Sequence, residues 1–192
     1  MMRAKGQSLI ELIVAVAVIQ VGLFSIWSLF LVNFNAEKEA EYRIVGVNLA
    51  REGIEVIKNI RDANWQKRQY NVMANETQIY SWDQNLTAGT WSVNFSSRVP
   101  NAETMSALYF DSAGFFTTAK TASTTPYSRQ IKIKNICCAD ANSDYKCDNT
   151  NYYLSSDYCA SKIGINVVSQ VNWQITGHQR QSIIEDNLYD WQ

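Results

Sequence analysis

From Ser8 to Val32 the chain is apolar at nearly every position, interrupted only by Glu11, Gln20, Ser25 and Ser28. As a helix, this run is about 37 Å long, enough to cross a bilayer with some tilt. Arg3 and Lys5 precede it and favour a cytoplasmic N-terminus. The run closes on Leu29-Phe-Leu-Val-Asn-Phe34, which lacks the small residues of a secretory cleavage site, so the segment is expected to stay with the mature protein. Beyond it the apolar positions thin to Ala40, Ile44, Val47, Ala50, Ile54, Ile57 and Ile60, stepping by three or four, with charged residues between them. That spacing predicts an amphipathic continuation of the same helix, packing on a sheet and ending near Asp62–Trp65. Gly22, Gly46 and Gly53 fall inside it. Each costs up to about 1 kcal/mol relative to alanine, and each reads as a bend or as a place of close helix packing.

The period then changes to two. Thr90–Ser96 alternates, with Trp91, Val93 and Phe95 on one face, and Gln78–Trp82 is a shorter candidate strand. Ala107–Phe110 and Phe115–Thr118 flank Asp111-Ser-Ala-Gly114, a hairpin pattern. Arg129–Ile136 and Ile163–Ile175 are the clearest strands and are expected to be neighbours. Ile183–Trp191 is expected to cover a sheet edge. The predicted fold class is therefore α+β: a long N-terminal helix, half membrane-spanning and half amphipathic, packed on an antiparallel β-sheet head. The six Trp and ten Tyr are assigned mainly to the core and sheet faces.

The two clearest strands are separated by an insertion at 135–162 that carries all four cysteines, Cys137, Cys138, Cys147 and Cys159. An even set on an outward-facing head reads as disulfides. Adjacent Cys137 and Cys138 do not pair with each other, which leaves 137–147 with 138–159, or 137–159 with 138–147. A four-cysteine zinc site is the alternative, but the paired C-x-x-C spacing is missing. Asp140, Asn142, Asp144 and Asp148 place oxygens at positions 1, 3, 5 and 9 of a calcium-type loop, with the Lys146 carbonyl at position 7. Tyr145 stands where such loops carry glycine, and Asn151 where they carry a bidentate glutamate, for which Asp157 is a substitute. Calcium is thus the candidate cofactor, against a solvated turn of Asp and Asn residues.

Glu11 is the costly residue of the apolar run. A carboxylate at the centre of a membrane helix costs roughly 2.5–3.5 kcal/mol, less near the edge. Its placement is explained if it has a partner. Gly6-Gln7-Ser8-Leu9-Ile10-Glu11-Leu12-Ile13, behind a charged leader and ahead of a long apolar run, resembles the type IV prepilin (class III) signal of pilins and pseudopilins. The resemblance covers residues 1–65 and implies cleavage after Gly6 by a membrane aspartyl peptidase and methylation of the new N-terminus. Glu11 becomes the fifth residue of the mature chain, the family's position for this glutamate. The chain departs from the family at Gln7, where the first mature residue is usually phenylalanine. The new amine at Gln7 gives Glu11 a cationic partner on a neighbouring subunit. Pairing with its own Gln7 amine, one turn away, and snorkelling to headgroups are the other readings.

The resemblance divides the chain into a leader at 1–6, a transmembrane and filament-core half at 7–33, an amphipathic half at 34–65 and a head at 66–192. It implies a filament subunit, a minor pilin given the bulk of the insertion, held in the cytoplasmic membrane with the head outside and later in a cell-surface filament. Its partners are other pilin subunits, the prepilin peptidase, the inner-membrane assembly platform and, before assembly, lipid. A pseudopilin of a secretion or DNA-uptake system and a solitary membrane-anchored binding module are the alternatives. Loss of the leader takes Lys plus Arg from 17 to 15 against 18 Asp plus Glu, a net charge of −3, which gives no bulk attraction for nucleic acid. The only histidine, His178, sits in a polar stretch, and no phosphate loop or nucleophile motif is present. The expectation is a protein that is not an enzyme.

Overall fold

The structure, a computed structural model, describes residues 9–73, 81–93, 98–100, 105–120, 123–138, 152–157, 159, 161–175 and 177–190. It contains one helix, α1 (Leu9–Met73), and eight strands. These are β1 (Gly89–Val93), β2 (Arg98–Pro100), β3 (Ser106–Phe110), β4 (Phe116–Thr117), β5 (Ser123–Cys138), β6 (Tyr152–Ser155), β7 (Lys162–Ile175) and β8 (His178–Tyr189). Contacts divide the chain into two compact units, Met1–Tyr42 and Arg43–Gln192.

The first unit is helical throughout its described residues, and its apolar side chains are uncovered: Phe24 is 77% exposed and Leu9 74%. Each methylene left in water forfeits about 0.8 kcal/mol of burial. This helix is long and apolar enough to cross a membrane.

The second unit is α+β. Its eight strands form one antiparallel sheet organised around β5. Along one edge of β5 lie β3 (at Ser123–Arg129), β1 (at Ile131–Ile133) and β6 (at Asn135–Cys138). Along the other edge β7 pairs from Tyr127 to Cys137, and β8 lies outside β7. The two strands read as neighbours from their alternation, β5 and β7, are neighbours. The helical half from Arg43 packs on this sheet. Ile54, Ile57 and Ile60 meet Ile131, Ile133, Ile165 and Val167, with Trp82, Leu86, Trp91 and Leu188 closing the core.

The structure departs from the expected elements in four places. The helix runs past Asp62–Trp65 to Met73, since no glycine or proline interrupts residues 54–88. The buried helix face is Gly46, Leu49, Ala50, Gly53, Ile54 and Ile57, whereas Ile44 is 62% exposed. Ile183–Trp191 is not a cover over an edge. Most of it belongs to β8, which pairs with β7 without a register break from Gly164↔Tyr189 to Ile175↔His178. Finally, the insertion folds back on β5 as β6. In the Gln78–Trp82 candidate, Ser81 and Trp82 lie outside any strand and the rest lies outside the described residues, as do residues 94–96 of the Thr90–Ser96 segment.

Candidate assembly site

The apolar helix surface of the first unit carries a carboxylate near its start, a hydrogen-bonded serine and a row of aromatic rings. Glu11 lies in the first turn of α1, where a carboxylate also complements the helix dipole, and its side chain is exposed. Ser25 is polar but donates its hydroxyl to the Val21 carbonyl at 2.8 Å, so it presents no unpaired donor to an apolar surrounding. Trp27, Phe30 and Phe34 follow one another with ring centroids 6.2 and 6.4 Å apart, and the Lys38 Nζ sits 4.4 Å above the Phe34 ring. Aromatic rings capped by a lysine suit the level where hydrocarbon gives way to headgroups. Gly6 and Gln7 lie outside the described residues.

The second unit shows how the head grips its own part of the helix. A methyl group built on Gly46 would come within 2.6 Å of Trp173 Cζ3, and one on Gly53 within 2.5 Å of Ser169 Oγ. Both glycines, seven residues apart and on one helix face, thus admit the helix close to its own sheet. Gly22 has nothing within 4 Å of such a methyl. Arg129, 2% exposed on β5, fixes the rotation of the helix: its Nη1 donates to the Leu49 carbonyl at 3.0 Å and pairs with Glu52 at 3.2 Å. At the distal end Asn64 donates to the carbonyls of Trp82 at 3.1 Å and Gln84 at 2.7 Å, holding the turn in which Asn85 has φ 65°. None of these polar ties was anticipated from sequence, where Arg129 and Asn64 read only as members of a strand and a helix.

The disulfide end of the head lies beside that turn. Cys137 is bonded to Cys159, and Cys138 is also disulfide-bonded. Cys147 lies outside the described residues. The observed bond belongs to the second of the two connectivities allowed by the spacing. Lys162 at the start of β7 pairs with Asp83 at 2.5 Å, 5.5 Å from the centre of the Trp82 ring. Burial pushes the Asp83 carboxyl up, but hydrogen bonds from Lys162 and Ser81 outweigh it and hold the group below the ordinary carboxylate value. Asp157 lines a cavity of about 530 Å³ with Asp83, Thr87, Asn135 and Lys162.

The calcium candidates Asp140, Asn142, Asp144, Lys146 and Asp148 lie outside the described residues. Among the described residues no group of three or more His, Cys, Asp or Glu is placed to hold a metal ion, so calcium gains no support from them. His178 is exposed at the start of β8. What the described arrangement provides is physical: an uncovered apolar helix with one carboxylate near its start, and a head clamped to the following helical turns. The comparisons returned no matching protein family, no matching curated protein and no matching solved structure.

Proposed function

We propose that the chain is a subunit of a type IV pilus-like filament, a minor pilin, inserted in the cytoplasmic membrane as a prepilin and assembled through its N-terminal helix after cleavage behind Gly6. The observation that carries this reading is the division of labour along α1. Its first half leaves an apolar surface wholly uncovered, while its second half is seated on the sheet through Gly46, Gly53 and Arg129. A simple anchor needs the apolar half but gains nothing from Glu11, which raises the cost of insertion. In a filament Glu11 meets the α-amino group of Gln7 on a neighbouring subunit, and the charge pair sets the register between helices. The disulfide-bonded insertion that adds β6 gives the head the extra bulk on which the minor-subunit assignment rests.

Replacement of Glu11 tests the proposal in a host carrying a pilus or pseudopilus machinery. Glu11→Ala is expected to remain in the membrane fraction, with its head folded, and to disappear from sheared filaments. Recovery of Glu11→Ala in filaments at the unmodified level would leave the solitary-anchor reading as the better one.

A further inference from the structure

The helix covers one face of the sheet, where Ile165, Val167 and Leu188 lie in the core. Side chains alternate along a strand, so Gly164, Asn166, Asn187 and Tyr189 belong to the far face. There Tyr189 stands opposite Gly164, and Asn187 opposite Asn166. A methyl on Gly164 would stand 2.9 Å from Tyr189 Cδ1. The phenol ring therefore leans into the space that the missing side chain leaves, and it is still 39% exposed.

Beside the ring, two exposed polar side chains are held by a buried one. Asn166 is 2% exposed, and its Nδ2 donates to Glu185 Oε1 at 2.6 Å and to Asn187 Oδ1 at 2.8 Å. Both of its amide protons are thereby used. These bonds fix which end of each neighbour faces inward. Asn187 keeps its own Nδ2 as an outward donor, and Glu185 keeps Oε2 as an outward acceptor, neither with a partner among the described residues. The same device recurs further along the face. Gln170 Nε2 donates to Asn172 Oδ1 at 3.1 Å and to Gln181 Oε1 at 3.2 Å, which leaves Gln181 Nε2 as a donor. Ile183, 52% exposed, lies between the two sets. From Tyr189 to Gln181 the face reads ring, donor, acceptor, aliphatic, donor over about 27 Å.

This alternation matches the surface of a sugar chain. A pyranose has an apolar face of C–H groups and an edge of hydroxyls, and each hydroxyl both donates and accepts. We propose that the far face of β8 binds a neutral, unbranched glycan. Tyr189 stacks on one pyranose ring, Asn187 donates to a hydroxyl and Glu185 accepts from the next. Because Asn166 already holds both polar groups, binding orders few side chains. A protein partner needs about 800 Å² on each side with an apolar centre, whereas here an amide and a carboxylate separate Tyr189 from Ile183. A nucleic acid strand would set its phosphates against Glu185. The site lies within the head and does not rest on the filament reading.

The test uses the full chain in a detergent without a sugar headgroup. Calorimetry against linear hexasaccharides of glucose, mannose, galactose and N-acetylglucosamine is expected to show binding to at least one, insensitive to added salt. Tyr189→Ala and Asn187→Asp are each expected to weaken it about tenfold or more, and Tyr189→Phe to keep it. Asn187→Asp retains the oxygen held by Asn166 and removes only the outward donor, so its circular dichroism spectrum stays that of the parent. Absence of binding to all four sugars, or binding that survives both Tyr189→Ala and Asn187→Asp, would overturn the proposal. So would salt-sensitive binding of single-stranded oligothymidylate in place of the sugars.

Discussion

Gly46 lies under the indole of Trp173, so close that a methyl on its α-carbon would stand 2.6 Å from Cζ3 and 2.9 Å from Cε3. Trp173 is 5% exposed, and its neighbour Tyr127, at 6.2 Å between centroids, is 6% exposed, so the ring has little room to yield. Overpacking of this kind costs about 1–3 kcal/mol, while alanine recovers at most about 1 kcal/mol of helix propensity. Gly46→Ala is therefore expected to destabilise the head. Gly22→Ala, with open space around it, is expected to be neutral or slightly stabilising. Urea unfolding of the full chain in detergent, followed by tryptophan fluorescence, separates the two. Equal effects at the two positions would show that propensity alone decides.

Gly53 presents the same geometry with a softer neighbour. Its added methyl meets Ser169 Oγ at 2.5 Å and Ile131 Cδ1 at 3.1 Å, and the serine hydroxyl is buried with no hydrogen-bond partner among the described residues. Removing an unpaired buried hydroxyl is close to neutral, and it also removes the nearest clash. Gly53→Ala is expected to cost less in a Ser169→Ala background than alone, by about 0.5 kcal/mol or more. Strict additivity in the double-mutant cycle would mean that the two side chains do not meet.

These contacts also show what was legible in the sequence and what was not. The apolar run, the amphipathic continuation and the β5–β7 pairing were readable because each has one dominant period. The glycines were noticed as costs, but their purpose required knowledge of which strand residues stand opposite them, and spacing along one element cannot supply that. β8 was missed as a full strand for a related reason. As the outermost strand it is apolar only at Ile183, Ile184 and Leu188, and its other side chains are polar. The sequence pattern ends the helix early because its apolar stepping stops at Ile60. Beyond that point it is held by Trp65 against the core and by polar contacts, from Asn64 to the turn and from Arg68 to Asp190 at 3.8 Å, which together leave no periodic signal. Of the candidate site residues, the Cys137–Cys159 bond was among the permitted pairings, but residue spacing alone could not select it.

The Asp83–Lys162 pair predicts a pH dependence. Because the Asp83 carboxyl is held below its ordinary value in the folded head, it favours folding fully above that value, near pH 4. The contribution fades as pH falls through the depressed folded value. Asp83→Asn is expected to be less stable than the parent at pH 7, and the gap is expected to narrow as pH falls below the ordinary carboxylate value and through the depressed folded one. Thermal melts across that range check it; a constant gap at both ends would exclude ionisation as the cause.

Cys137 and Cys159 close a loop with a sequence separation of 22. On chain-entropy grounds such a bond stabilises by about 3 kcal/mol, so the double variant Cys137→Ala, Cys159→Ala is expected to lower Tm on the order of 6–12 °C. Because β6 is held to β5 only over Asn135–Cys138, amide exchange is expected to rise first at Tyr152–Ser155. Unchanged protection there would show that β6 does not depend on the bond.

The central claim, that Glu11 acts in a helix released by cleavage behind Gly6, is tested most directly by the intact mass of the chain recovered from a host containing a prepilin peptidase. The expected product is a polypeptide beginning at Gln7, with or without an added methyl group, and an uncleaved mass when the peptidase is deleted. A chain that still begins at Met1 in the peptidase-positive host, or that begins beyond Val32, would contradict it.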